Sequence, residues 1–140
     1  MSCRLLLADD HEIVRKHLRE IIELKTDCVI VGEAKDGLQA VRLAKEFEPD
    51  IAVVDISMPE LDGLDAARQI RKESPQTKIL ILTMHDAAPI VAAIQQAGVH
   101  GYLLKSEASK NLLLAINSLL RDQPFFGLPG AEQFPQGKTT

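Results

Sequence analysis

Five polar side chains stand directly after short apolar segments of the chain: Asp9, Asp10, Asp55, Thr83 and Lys105. Three carboxylates in one place repel one another. Mg²⁺ relieves such repulsion, because it prefers oxygen ligands and readily lies between carboxylates and a phosphate. A carboxylate can also act as a nucleophile and become an aspartyl phosphate, while an ammonium and a hydroxyl neutralise and hydrogen-bond the phosphoryl oxygens. These residue types predict Mg²⁺-assisted phosphoryl transfer to an aspartate, provided that the fold brings them together.

The apolar segments have the length and the β-branched content of strands buried on both faces. They are residues 5–8, 29–31, 51–54, 79–82 and 102–104. Each is followed by a segment with apolar residues at helical spacing, namely residues 14–21, 38–47, 64–70, 90–97 and 112–120. Five βα repeats predict an α/β fold with a doubly wound, five-stranded parallel sheet.

The order of the strands decides which strand ends meet. If the first strand neighbours the third and the second lies outside it, the order is 2-1-3-4-5. Ligands of open parallel sheets bind beyond the carboxyl ends of the strands, where the winding direction reverses. That point falls between Asp9-Asp10 and Asp55. The sequence therefore predicts one pocket that holds the three carboxylates, with Thr83 and Lys105 at its rim.

Composition excludes several other classes of protein. The chain has 140 residues, with 16 Lys and Arg against 20 Asp and Glu and a formal charge of −4, which argues against binding nucleic acid by charge alone. No apolar run approaches the ~18 residues of a membrane-spanning helix. Asp9 and Asp10 interrupt the N-terminus before a signal-peptide core could form. We expect a cytoplasmic protein that contacts no membrane and binds no nucleic acid through this chain.

The apolar periodicity ends after Leu120. Residues 121–140 contain three of the seven prolines and three of the four phenylalanines, which is typical of a tail or linker and not of another βα unit. We predict one domain over residues 1–121 and a C-terminal tail or linker over residues 122–140. No recognition helix or basic stripe follows Leu120, so we expect no DNA-binding domain within this chain.

The cysteines and histidines give weaker signals. Cys3 and Cys28 cannot make a disulfide framework, and both lie in apolar stretches, so we expect buried thiols. The four histidines show no metal-binding spacing and are interpreted as surface or loop residues. His11 adjoins the acid pair, which leaves open an influence of pH on the pocket.

The strand-end residues, in this order, resemble the receiver domain of two-component response regulators, which has the flavodoxin-like fold of the chemotaxis receiver. The matching motifs are Asp9-Asp10, Asp55 with Met58-Pro59 and Asp62-Gly63, Thr83, and Lys105. The resemblance covers roughly residues 4–120. Residues 8–12, 82–86 and 101–106 further resemble the NarL/FixJ subfamily.

The resemblance implies a phosphoryl acceptor and a magnesium site. Asp55 would accept the phosphoryl group from a sensor histidine kinase. Asp10 and Asp55 would bind Mg²⁺ directly, together with the backbone carbonyl of Ser57, and Asp9 would act through a metal-bound water. Lys105 would pair with the phosphoryl group, or with Asp55 before transfer.

It also implies a switch and an output. Thr83 would move toward the phosphoryl oxygen and Tyr102 would turn inward, which would alter the surface of the fourth helix, the fifth strand and the fifth helix. Tyr102 could instead be a half-buried aromatic residue of an edge strand. Such a domain is not a turnover enzyme, although it dephosphorylates itself slowly, and phosphorylation can favour a homodimer. The subfamily usually continues into a helix-turn-helix domain, so the chain is either a stand-alone receiver or a fragment of a transcription regulator.

Two positions depart from the commonest receiver pattern. Ser106 follows Lys105 where many receivers have proline, and it could cap the fifth helix. Met84 follows Thr83 where smaller residues are common, and we expect its side chain to narrow access to the pocket.

Two other functions stay open. Haloacid-dehalogenase-type phosphohydrolases also use an aspartate nucleophile and Mg²⁺. That family has an Asp-x-Asp motif after its first strand, whereas this chain has adjacent Asp9 and Asp10. A receiver-like module that is never phosphorylated and only docks on a partner is the other alternative.

Overall fold

The computed structural model describes residues 3–126. Within that part of the chain, strands and helices alternate as β1 (Arg4–Ala8), α1 (Glu12–Lys25), β2 (Val29–Ala34), α2 (Gly37–Phe47), β3 (Ile51–Asp55), α3 (Gly63–Glu73), β4 (Lys78–Thr83), α4 (Ala88–Gln96), β5 (Gly101–Leu104), α5 (Ala108–Leu120) and β6 (Phe125–Phe126). A single 3-10 turn, Lys105–Glu107, joins β5 to α5. The five predicted βα units are confirmed.

All neighbouring strands are parallel, and the sheet has the order β2-β1-β3-β4-β5-β6. The predicted order 2-1-3-4-5 is confirmed, and a short sixth strand extends it. The winding direction reverses between β1 and β3, as the sequence predicts. No helix among residues 3–126 is long and apolar enough to cross a bilayer.

Helices cover both faces of the sheet. Leu5 and Leu7 of β1 face a cluster that includes residues of α1 and α5, while Leu6 and Ala8 face a second cluster that includes residues of α2, α3 and α4. The central strand β3 is buried along its whole length, whereas Val29 on the outer strand β2 is exposed. The expected burial on both faces therefore holds at the centre of the sheet and fails at its edge, because no strand among residues 3–126 pairs with the outer side of β2.

The sixth strand is the feature that the sequence did not predict. Phe125 and Phe126 pair with Gly101 and Tyr102 of β5, and the Phe125 amide donates to the His100 carbonyl at 3.1 Å. Gly101 permits this approach, since a Cβ there would lie 2.4 Å from the Phe125 carbonyl oxygen. The folded sheet thus continues past the predicted boundary at residue 121.

Further contacts hold the segment that leads to β6. The Ser118 hydroxyl donates to the Gln123 carbonyl at 3.0 Å, and Lys78 pairs with Asp122 at 2.8 Å. The remainder of the predicted tail, residues 127–140, lies outside the described residues.

Candidate functional site

The strand register brings the predicted site residues to one edge of the sheet. Ala8 pairs with Val54, so Asp9 and Asp55 are each the next residue on adjacent strands. Thr83 pairs with Leu104, so Lys105 directly follows the last residue pair of β4 and β5. Because parallel strands end at the same edge, residues that are distant in sequence meet there.

One ammonium lies between two buried carboxylates. Lys105 Nζ is 3.0 Å from Asp55 Oδ2 and 3.1 Å from Asp9 Oδ2. Asp9 and Asp55 are 0% and 1% exposed, while Asp10 is exposed to solvent. Ser106 does not prevent this placement of Lys105, because the chain enters the 3-10 turn at that point. Ser106 does not cap α5, which follows Glu107 and has no side-chain cap.

Burial dominates the electrostatics of Asp55. It raises the pKa of Asp55, the charge of Asp9 raises it further, and the hydrogen bonds from Lys105 and from the Ser57 amide only partly compensate. Burial alone would lower the pKa of Lys105, but the hydrogen bonds and charges of Asp55 and Asp9 together outweigh it and raise that pKa. The pocket therefore contains more negative charge than one lysine neutralises.

The His11 ring lies beside the three carboxylates. Its Nδ1 lies 3.2 Å from Asp9 Oδ1, 3.2 Å from Asp10 Oδ1 and 3.9 Å from Asp55 Oδ2. Its interpretation as a loop residue was correct for its backbone but missed this position. The only sequence signal was its place next to the acid pair.

A second ion-pair network holds the loop after β1 in place. Arg15 donates to the Asp9 carbonyl at 2.7 Å and to Glu33 Oε1 at 3.0 Å, and Arg19 pairs with Glu33 at 3.0 Å. The Asp9 amide donates to the Ala34 carbonyl at 2.9 Å. Glu33, which looks ordinary in the sequence, thus helps to fix the backbone that carries the acid pair.

The loop after β3 is equally constrained. The Ser57 amide donates to Asp55 Oδ1 at 3.2 Å, and the Gly63 amide donates to the Ile56 carbonyl at 2.9 Å. A Cβ on Gly63 would lie 2.2 Å from the Asp55 carbonyl oxygen, so only glycine fits there. Asp62 caps α3 by accepting from the Asp65 amide at 2.9 Å. The Asp62-Gly63 motif is therefore structural and supports the loop beside Asp55.

Thr83 and Tyr102 lie near this edge but outside the carboxylate cluster. Thr83 is buried, and its hydroxyl donates to the His85 carbonyl at 2.9 Å and accepts from the His85 amide at 3.2 Å. Tyr102 is half-buried, and its ring centroid lies 6.1 Å from that of Phe126.

Asp55 and three neighbouring residues fit a divalent cation. One ligand atom from each of Asp9, Asp10, His11 and Asp55 can be chosen such that all lie within 4.8 Å of one another. Asp9 Oδ2 is fully buried, and the Lys105 ammonium is its close polar contact, at 3.1 Å. A set dominated by carboxylate oxygens with excess negative charge suits Mg²⁺.

An apolar cleft adjoins this pocket. Its volume is about 580 Å³, and its lining includes His11, Ile13, Met84, Lys105 and Ala108. Ile13 and Met84 are 85% and 65% exposed. Met84 thus lines a cleft shared with His11 and Lys105, and its side chain remains largely in solvent.

Comparison with known proteins places this geometry in a family. Residues 5–117 match the response regulator receiver domain. The transcriptional regulatory protein YdfI of Bacillus subtilis (strain 168) is 42% identical over 118 residues, which are 84% of this chain and 55% of that protein. The response regulator UvrY of Escherichia coli (strain K12) is 38% identical over 129 residues, 92% of this chain and 59% of that protein. The chain thus spans little more than half the length of these relatives.

Solved structures agree. A two-component response regulator of the LuxR family from Aurantimonas sp. SI85-9A1 superposes with a TM-score of 0.84 at 37% identity, covering 89% of each chain. The signal receiver domain of the putative response regulator NarL from Mycobacterium tuberculosis gives a TM-score of 0.83 at 31% identity, covering 87% of this chain and 98% of that one. Receiver domains are signalling modules and not turnover enzymes. With its acidic pocket and its β2-β1-β3-β4-β5 core, this chain belongs to the response regulator receiver domain family of two-component systems.

Proposed function

We propose that this chain is a phosphoacceptor receiver, in which Asp55 takes a phosphoryl group from a sensor histidine kinase. The observation that carries the proposal is the contact of a buried Asp55 carboxylate with the Lys105 ammonium at 3.0 Å, beside two further aspartates. An Asp55 oxygen attacks phosphorus, and the bond from phosphorus to the imidazole nitrogen of the kinase breaks. Lys105 neutralises the phosphoryl oxygens.

Asp10, Asp55 and the backbone carbonyl of Ser57 would hold Mg²⁺ directly, and Asp9 would hold it through a water. Bound there, Mg²⁺ supplies positive charge at the phosphoryl oxygens. The grouping of Asp9, Asp10 and Asp55 around a single lysine supports this assignment.

Thr83 and Tyr102 would convert the phosphoryl group into a change of surface. The Thr83 hydroxyl would leave the His85 carbonyl and donate to a phosphoryl oxygen, and Tyr102 would follow it inward, away from Phe126. The surface of α4, β5 and α5 then changes for a partner, and a second copy of the chain is one such partner. Slow self-dephosphorylation would end the signal.

The names of the relatives support a transcriptional output. YdfI is a transcriptional regulatory protein, and this chain covers 55% of its length. We infer that this receiver acts in the cytoplasm and either controls a helix-turn-helix domain beyond these 140 residues or works alone. The predicted tail, residues 122–140, would then be the linker, and Phe125 and Phe126 within it form β6.

Mass spectrometry after incubation with acetyl phosphate and Mg²⁺ tests the acceptor. We expect one phosphoryl adduct on the parent, the same yield for Asp86→Asn, which changes an exposed aspartate of the β4–α4 loop, and none for Asp55→Asn. An undiminished yield in Asp55→Asn would contradict the assignment. Steady phosphate release from phosphomonoesters would favour a phosphohydrolase, and a folded but unlabelled parent would favour a docking module. Size-exclusion chromatography with beryllofluoride tests dimerisation.

A further inference from the structure

The two cysteines of the chain lie side by side at the amino-terminal edge of the sheet, opposite the edge that carries Asp55. Arg4 pairs with Val29, and the Val29 amide donates to the Cys3 carbonyl at 2.6 Å. Cys3 and Cys28 each precede one of these paired residues, so they occupy neighbouring positions directly before two adjacent parallel strands. Adjacent strands lie about 4.8 Å apart, which is within the Cα separation of about 4.4–6.8 Å that a disulfide spans.

Both thiols face the same side of the sheet. Cys3 and Cys28 belong to the same buried cluster, and their side chains share a hydrogen bond. A cleft of about 460 Å³ is lined by both cysteines together with Leu24, Thr26 and Asn117 from the ends of α1 and α5. Each cysteine keeps a small exposed fraction, 6% and 7%, and both residues form part of the cleft wall.

The pKa values of the two thiols are shifted in opposite directions. The hydrogen bond from Cys3 lowers the pKa of Cys28, burial opposes this, and the hydrogen bond from Thr26 lowers it further, to about 7. The same hydrogen bond and burial raise the pKa of Cys3. Since the thiolate is the nucleophile, Cys28 reacts first and Cys3 is the adjacent thiol that resolves the product.

We propose that Cys3 and Cys28 form a reversible oxidation site for small peroxides, at which the two thiols become an intramolecular disulfide. The Cys28 thiolate attacks a peroxide oxygen, the O–O bond breaks, and Cys28 becomes a sulfenic acid while hydroxide leaves and takes up the proton that the Cys28 thiol had released, giving water. Cys3 sulfur then attacks Cys28 sulfur, the S–O bond breaks, and a second water leaves with the Cys3 proton. Two thiols and one hydrogen peroxide thus give one disulfide and two waters. A dithiol reductant reverses the reaction.

Tryptic mapping of the full chain after hydrogen peroxide treatment tests the site. We expect loss of both free thiols, a mass lower by two hydrogen atoms, and a disulfide-linked pair of the peptides 1–4 and 26–35, all reversed by dithiothreitol. In Cys3→Ser, Cys28 has no resolving thiol and should instead be trapped by dimedone as a sulfenic acid. Cys28→Ser is the matched control and should give much less dimedone adduct.

Three results would overturn the proposal. The folded parent could keep both thiols under conditions that oxidise the chain in urea. It could gain oxygen atoms without a link between the two peptides. It could also form only disulfides between chains, seen as dimers on a non-reducing gel. The parent experiment alone separates these results, so it stands even if a serine variant fails to fold.

Discussion

Lys105 Nζ lies 3.0 Å from Asp55 Oδ2 and is itself almost buried, with 10% of the side chain exposed. The same ammonium contacts Asp9 Oδ2 at 3.1 Å. One ammonium group therefore pairs with two carboxylates that have almost no access to water. The same three side chains would contact a phosphoryl group or a divalent cation. Changes to them should therefore alter both the stability of the fold and phosphoryl transfer.

Removal of the Lys105 ammonium should destabilise the fold. We expect Lys105→Met to lower the free energy of unfolding by about 3 kcal/mol without divalent cations, the size expected when a buried ion pair loses one partner. Urea unfolding in EDTA measures this, and added Mg²⁺ should restore part of the loss. Lys78→Met, which breaks an ion pair with an exposed Asp122, should cost less than about 1 kcal/mol. Equal losses in the two variants would contradict the prediction.

Asp55 should make the fold less stable as its carboxyl ionises. Burial, followed by the charge of Asp9, raises its pKa above the ordinary 3.8. Its contribution to stability is therefore complete below about pH 4 and is lost as pH rises through the native pKa. We expect Asp55→Asn to be more stable than the parent at pH 7 in EDTA, with a difference that shrinks toward pH 4. Urea unfolding across this range, with Asp86→Asn as control, would refute this if the difference stayed constant.

His100 should give the opposite dependence on pH. Its Nδ1 accepts from the Ile79 amide at 2.9 Å, and burial, with the charges of Lys78 and Arg71, lowers its pKa, which Asp122 only partly offsets. A lowered native pKa means that stability is complete above about pH 6.5 and is lost as pH falls. The loss of unfolding free energy between pH 7.5 and about 5.5 should be smaller in His100→Asn than in the parent. His17→Asn changes an exposed position of α1, and this variant should lose as much unfolding free energy over that pH range as the parent.

The sixth strand should contribute measurably to stability. Phe125 is 3% exposed, so Phe125→Ala should lower the free energy of unfolding by about 3 kcal/mol. The half-buried neighbour gives the control, because Phe126→Ala should cost less. Thermal or urea unfolding with equal losses for both would show that β6 is not docked in solution.

A second variant tests the same strand through the backbone. Gly101→Ala places a Cβ 2.4 Å from the Phe125 carbonyl oxygen, so β6 must shift. Most of the resulting loss of stability should vanish in a chain that ends at residue 121. A loss that is unchanged by this truncation would assign the strain to Leu80, the other neighbour of that Cβ.

Met84 should limit access to Asp55. It lines the cleft beside His11 and Lys105, so its truncation opens the approach for acetyl phosphate and water. We expect Met84→Ala to raise the rates of labelling and of acyl-phosphate decay by about threefold, which corresponds to about 0.65 kcal/mol. Leu114→Ala, an exposed position on α5, is the control. Unchanged rates in Met84→Ala would sink the idea.

Local patterns were sufficient for the βα alternation, for the strand order and for the residues at the strand ends. Short β-branched runs and helical spacing carry their signal within about ten residues, and the winding rule of parallel sheets then brings Asp9 and Asp55 together. A strand of two residues, such as β6, is too short to show a hydrophobic period in the sequence. It forms because Gly101 leaves room for the Phe125 carbonyl and because Phe125 fills a buried position.

Side-chain relationships across the sheet depended on the tertiary structure. The sequence placed Asp55 and Lys105 at strand ends, but the 3.0 Å contact and the raised pKa of Asp55 follow from burial, which is a property of the packed core. Cys3 and Cys28 were predicted as two buried thiols, and only the β1–β2 register makes them neighbours. Residue types and periods determine which elements form and which chemistry is available, whereas register and burial, which arise from contacts between distant segments, decide which groups meet and how they are charged.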